Sequence, residues 1–200
     1  MLHLLYALAL LLLLGGAAAL LAERFTLSPA LLPLPLLSGA VVVLYVFGIA
    51  GFLRAGAVVV LLALAAVWVA ALVKRRPAGA VQAWQNAVAT PGFALFLGGA
   101  AFIWVLFFTQ QPMFTQWDEF TAWGLAPKMV VERGAFYVAD PVNLKASFTY
   151  PATSLVTFLF QPFGQWAEWA CLAALDTLAL ACLAAAAALP RDRWAGGVLV

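Results

Sequence analysis

Five stretches of this chain stay apolar for close to the ~20 residues a helix needs to cross a bilayer. A bilayer core offers the backbone no water, so a spanning segment must satisfy its own N–H and C=O groups, as an α-helix does. Composition points the same way. Hydrophobic residues make up 66% of the chain and charged residues 9%, against about 25% charged in an ordinary soluble domain. The expected fold class is all-α, a polytopic transmembrane helical bundle, with membrane lipid as its solvent. A formal charge of +2 gives no case for nucleic acid as a partner. Cys171 and Cys182 fall in one apolar run and suggest neither a disulfide framework nor a metal site.

The first unit, 1–109, reads as four transmembrane helices. Leu2 to Ala22 opens it. Ala17 and Ala19 offer a small-x-small cleavage site, but no Lys or Arg precedes the run, and it exceeds the about 7–15 residues of a signal h-region. A retained helix is therefore expected. Pro29, Pro33 and Pro35 delay the second helix, because proline suits a first turn and damages an interior. That helix is expected to end near Leu53, with Arg54 marking a tight turn. The third span is expected over Ala57 to Val73, stopping at Lys74-Arg75-Arg76-Pro77. The segment AGAVQAWQNAVAT, 78–90, is too polar to span and is expected to lie along the interface. Pro91 and Gly92 then punctuate, and the fourth span runs to Phe108.

A charged loop, 110–150, separates this unit from the last, 151–200. Ala152 to Phe160 is apolar, but it reaches only ~14 Å as a helix, half a membrane thickness. Trp166 to Leu189 is a full span, followed by Pro190-Arg191-Asp192-Arg193. The closing WAGGVLV, 194–200, reads as the start of a truncated helix, completed by a missing C-terminal portion or by a partner membrane subunit. The basic groups at 74–76 and at 191 and 193 are expected in the cytoplasm. Residues 110–150 are then extracytoplasmic, and 166–189 can return only if 152–160 does not cross.

Of the 18 charged residues, 10 basic and 8 acidic, seven lie within 117–145: Asp118, Glu119, Lys128, Glu132, Arg133, Asp140 and Lys145. Two short juxtamembrane helices fit this loop. Thr115 can cap one, with Asp118 and Glu119 in its first turn, where the helix dipole favours carboxylates by roughly 0.3–1 kcal/mol. Pro127 can begin another that stops before Gly134. Trp117, Phe120, Trp123 and Met129 would bed both in the headgroup layer, making the loop a membrane-hugging connector. The sharper reading is chemical. Neighbouring helical residues project about 100° apart, so Asp118 and Glu119 cannot share one face. A carboxylate partly desolvated among aromatic rings holds a proton more readily, which suits a general base. Lys128 can meet a phosphate as a point charge.

The string WDEF..WG...K in a long exit loop, and the YP ahead of a half-length helix, resemble the GT-C superfamily of integral membrane glycosyltransferases. The likeness covers about residues 93–193. It implies sugar transfer from a polyprenyl-phosphate carrier to an acceptor hydroxyl on the extracytoplasmic side. It implies a multi-pass place in the plasma membrane, the inner one of a bacterium. Asp118 matches the family's catalytic acidic residue, with Glu119 as its neighbour; in some branches that residue binds metal, so a divalent cation stays open as cofactor. Tyr150-Pro151 matches the element that opens a helix after the loop, and Tyr150 becomes a substrate-binding candidate. Lys128 or Lys145 would then offset the charge of the leaving lipid phosphate. The chain departs from the pattern: YPAT lacks a second proline, Glu168 stands where many members place an arginine, three spans precede the one that would be the family's first helix, and most of the family's later helices are not among these 200 residues.

Other functions compete with this one. Asp176 lies about ten residues into the last span, and an ionisable group there marks function unless, neutral or hydrogen-bonded, it packs against another helix. With the half-length helix it supports a transporter or flippase-like protein, although such proteins pair broken helices in two halves. A non-catalytic assembly subunit is the third possibility. His3 has no clustered ligand motif around it and reads as structural.

Overall fold

The computed structural model describes residues 1–116, 124–136 and 151–188, the side chains of residues 75 and 76 excepted. Its helices are α1 (Leu2–Phe25), a 3-10 turn (Pro29–Leu31), α2 (Pro33–Ile49), α3 (Leu53–Val88), α4 (Pro91–Gln110), α5 (Leu125–Arg133), α6 (Pro151–Phe160) and α7 (Glu168–Ala188). Five segments are long and apolar enough to cross a membrane: Leu2–Phe25, Pro29–Ile49, Leu53–Lys74, Pro91–Gln110 and Glu168–Ala188. The chain is an all-α, multi-pass membrane protein. Residues 194–200, read from sequence as the start of another helix, lie outside the described residues.

α1 is the most buried of the five spans. The run Gly15-Gly16-Ala17-Ala18-Ala19 is buried within it, and small residues of this kind let neighbouring backbones approach in a bilayer. Gly16 is the tightest point. A Cβ there would fall 1.7 Å from Cζ2 of Trp68. That indole lies across α1 and donates from Nε1 to the carbonyl of Leu13 at 3.2 Å.

The proline-delayed start of α2 is realised as the 3-10 turn at Pro29, with Pro33 opening the helix itself. α2 stops at Ile49 rather than near Leu53. The turn is Ala50–Phe52, and Arg54 already belongs to the first turn of α3.

The third span ends at Lys74, as its basic residues led one to expect, but the helix that carries it does not: α3 begins at Leu53 and continues through Pro77 to Val88. Along a straight helix residues 68 and 84 would stand ~24 Å apart, yet their indole centroids are 6.5 Å apart. The axis therefore turns sharply between them. Pro77 explains where, since it has no N–H for the preceding turn and its ring pushes on that turn's carbonyl. The arm beyond the bend is held by burial: Ala80 and Ala83 pack with Leu20 of α1, and Trp84 meets Phe93 edge-on at 6.2 Å.

The five spans alternate in direction, so the bundle has two ends. At one, Arg24 and Lys74 line a common cleft, and the start of α4 at Gly92 meets Ala184 and Ala187 of α7. This is the basic end. At the other, the chain leaving α4 touches the start of α7, and Arg54 meets Gly134 and Gly164. This is the loop end. Residues 190–193 lie outside the described residues.

α6 sits beneath the loop end. Its ten residues rise ~15 Å, too little to cross. All seven residues from Ser154 to Phe160 are buried, so protein surrounds these last two turns on every side, unlike an amphipathic surface helix. The last carbonyls of a helix have no intrahelical partner, and at membrane depth no water replaces one. Tyr6 of α1 supplies a donor: its hydroxyl gives a 3.0 Å hydrogen bond to the carbonyl of Leu159.

Candidate functional site

Long-range contacts assemble the loop end. The stretch leaving α4 is fastened by Glu168, the first residue of α7, whose Oε2 accepts the N–H of Phe114 at 2.9 Å. A carboxylate at a helix N-terminus is itself favoured by the dipole. The Phe114 ring lies 6.1 Å from Trp166. Glu168, a departure from the GT-C pattern in the sequence, works here as a clasp over the chain that leads to Asp118. Glu168→Ala is expected to release residues 111–116, while Glu168→Gln, which keeps an acceptor oxygen, should not. Hydrogen exchange at the Phe114 amide measures this: faster exchange in the alanine variant alone supports the clasp, and equal exchange in all three proteins removes it.

α5 is docked onto protein rather than spread in a headgroup layer. Ala126, Pro127, Met129, Val130 and Val131 are buried, which overturns the membrane-hugging place expected for Met129. The helix starts two residues before the expected Pro127, which its third position tolerates because the first four N–H groups of a helix have no intrahelical partner. It ends as expected at Gly134, which has φ +64° and donates its N–H to the carbonyl of Val130 at 2.9 Å.

Arg54 is the residue that sequence reasoning undervalued. A Cβ on Gly134 would fall 2.7 Å from its Nε, and one on Gly164 would fall 3.0 Å from its Nη2. Both glycines have positive φ, so they serve twice, as turn residues and as open flanks for the guanidinium. The group is exposed and lies where α5 presents its C-terminal carbonyls, which favours a cation. The only signal in the sequence was a lone basic residue between two apolar runs.

The nominated residues divide into two sets. Lys128 is described: its Nζ is 4.0 Å from Oε1 of Glu132 one turn on, and both side chains are 48% exposed. An exposed pair of this kind is worth about 0.3–0.5 kcal/mol, so an arriving phosphate could break it at little expense. Asp118, Glu119, Lys145 and Tyr150 lie outside the described residues. The flanks of Asp118 and Glu119, Gln116 and Gly124, are both at the loop end, and Tyr150 directly precedes α6.

Below this layer lie several buried polar side chains, among them His3, Ser154 and Gln161. Gln161 accepts the Ala167 N–H at 2.9 Å through Oε1. Its Nε2, together with Ser154 Oγ and His3 Nδ1, is buried and has no hydrogen-bond partner among the described residues. His3 lies edge-on to Trp169 at 6.3 Å, as a structural residue would. Asp176 is the ninth residue of α7 and is partly exposed, with no hydrogen bond or ion pair among the described residues. Among the described residues no group of three or more His, Cys, Asp or Glu could hold a metal ion. No family model, curated protein or solved structure matches this chain.

Proposed function

We propose that this chain is a membrane glycosyltransferase, or part of one, that moves a sugar from a polyprenyl-phosphate carrier to an acceptor hydroxyl at the loop end. The observation that supports it most is α6. A half-length helix, opened by Pro151 after Tyr150 and buried from Ser154 to Phe160, sits under a loop end fastened by Glu168 and Arg54. A mere connector would not need such a floor. The resemblance of WDEF..WG...K and YP to GT-C enzymes gives that floor a chemistry.

In this reading Asp118 takes the proton of the acceptor hydroxyl, and the oxygen attacks the anomeric carbon. The bond from that carbon to the phosphate oxygen breaks, and polyprenyl phosphate leaves with the electron pair. Lys128, Lys145 and Arg54 offset its charge. The phosphate is already an activated leaving group, so no cytosolic nucleotide is needed. A divalent cation at Asp118 belongs to the same proposal, and chelation during turnover tests for it. The transporter-like reading draws on α6 and Asp176, but it requires a second broken helix; α6 is the only short apolar helix among the described residues.

The reaction needs the loop end outside the cell, because the basic end belongs in the cytoplasm. Single cysteines in place of Gly79, Asn143 and Asp192, in a chain whose Cys171 and Cys182 are replaced, measure this with a membrane-impermeant maleimide. Labelling of Asn143→Cys in intact cells, and of the other two only after permeabilisation, is the expected result. The reverse pattern would defeat the proposed function.

A further inference from the structure

At the basic end, the last turns of α1 and of the Leu53–Lys74 span leave a cleft of about 200 Å³. Leu20, Leu21, Val67, Ala70 and Ala71 wall it, and Arg24 and Lys74 complete it. Both cations are exposed, and neither makes an ion pair among the described residues. Glu23, beside Arg24, lines a different cleft with Ala19 and Asn86, so its carboxylate does not occupy this one.

The two cations stand at matching depth. Arg24 is one residue from the end of α1, and Lys74 is the last residue of its span. The chain changes there from acyl-level residues to polar ones, which is where headgroups begin. Apolar walls below and two cations above form a shape with one fitting occupant.

We propose that this cleft binds a single anionic phospholipid from the leaflet at the basic end. Its phosphate lies between Arg24 and Lys74, and the first part of an acyl chain lies against Val67, Ala70 and Ala71. The walls accept any lipid tail, so selection rests on the cations, because a basic residue near an anionic leaflet is favoured while a zwitterionic headgroup carries its own counter-charge. The site lies at the opposite end of the bundle from the proposed transfer reaction and does not depend on it.

Titration of the detergent-purified chain with tail-labelled fluorescent phosphatidylglycerol tests the site. Replacing both Arg24 and Lys74 by Gln is expected to weaken binding about 25-fold, about fivefold for each cation. Arg133→Gln, a charge lost at the other end, is expected to leave it unchanged. Ala70→Phe keeps both cations and fills the cleft, so it should also weaken binding; Ala70 is exposed, and a larger side chain there need not disturb the core. Unlabelled phosphatidylglycerol should compete, and phosphatidylcholine should compete much less well. Equal competition by the two lipids, retained affinity in either cleft variant, or displacement by free glycerol phosphate at the same concentration as lipid would overturn the proposal.

Discussion

Asp118→Asn is expected to leave the protein folded and to cut sugar transfer from a polyprenyl-phosphate donor by about 10²–10⁴-fold, the usual weight of a general base. Asparagine keeps the size and an acceptor oxygen but takes no proton at neutral pH. The competing account of Asp118, a carboxylate in a helix's first turn, gives a different number. Loss of a cap or a dipole contact costs no more than about 1 kcal/mol of stability and leaves the chemistry alone. Glu119→Gln is expected to do less than Asp118→Asn, since adjacent helical positions face different ways. Initial rates and thermal melts of both variants, in native membranes, decide the matter. Full transfer by a folded Asp118→Asn protein would return the loop to a structural role.

The second large effect lies below the site. Trp104 of α4 is fully buried, stacks on Phe160 of α6 at 5.2 Å and meets Trp169 of α7 edge-on at 5.8 Å. Its Nε1 donates to Thr177 Oγ1 at 3.0 Å, and that hydroxyl donates on to the carbonyl of Ala173 at 2.7 Å. One side chain thus joins three helices. Truncation of a buried aromatic costs about 3–5 kcal/mol in a water-soluble core. Lipid is as apolar as the core, so the transfer part of that loss shrinks and the cavity part remains. Trp104→Ala is therefore expected near the lower end, about 3 kcal/mol, and Trp104→Phe nearer 1 kcal/mol, mainly the hydrogen bond. Leu62→Ala, on an exposed position of α3, should change little. Unfolding in mixed micelles measures all three. Equal stability of Trp104→Ala and the parent would mean that α6 is not held by this cluster.

What the sequence revealed and what it hid follow one division. Spans are local: a run such as Val58 to Val69 must be a helix in lipid whatever surrounds it, and the short length of α6 was visible before its burial was. Contacts made across the chain were not visible. Pro77 after three basic residues reads as a stop, but burial of Ala80 and Ala83 against α1 and the meeting of Trp84 with Trp68 outweigh it. Glu168 reads from sequence as a departure from the GT-C pattern, and only its bond to Phe114, 54 positions away, gives it a role. Arg54 looked like turn punctuation because Gly134 and Gly164 are far off in sequence. Asp118 and Glu119 were legible by residue type alone, since clustered charge in an oily chain needs a reason.

The most direct test of the central claim is donor turnover. Membranes from the native host carrying the chain, and matched membranes lacking it, are given a panel of labelled polyprenyl-phosphate monosaccharides, with the envelope's own hydroxyls as acceptors and no nucleotide present. The account predicts that free polyprenyl phosphate and glycosylated acceptor appear in equal amounts, only where the chain is present. A sugar that stays on every carrier, or one that moves only when a nucleotide sugar is supplied, would contradict it.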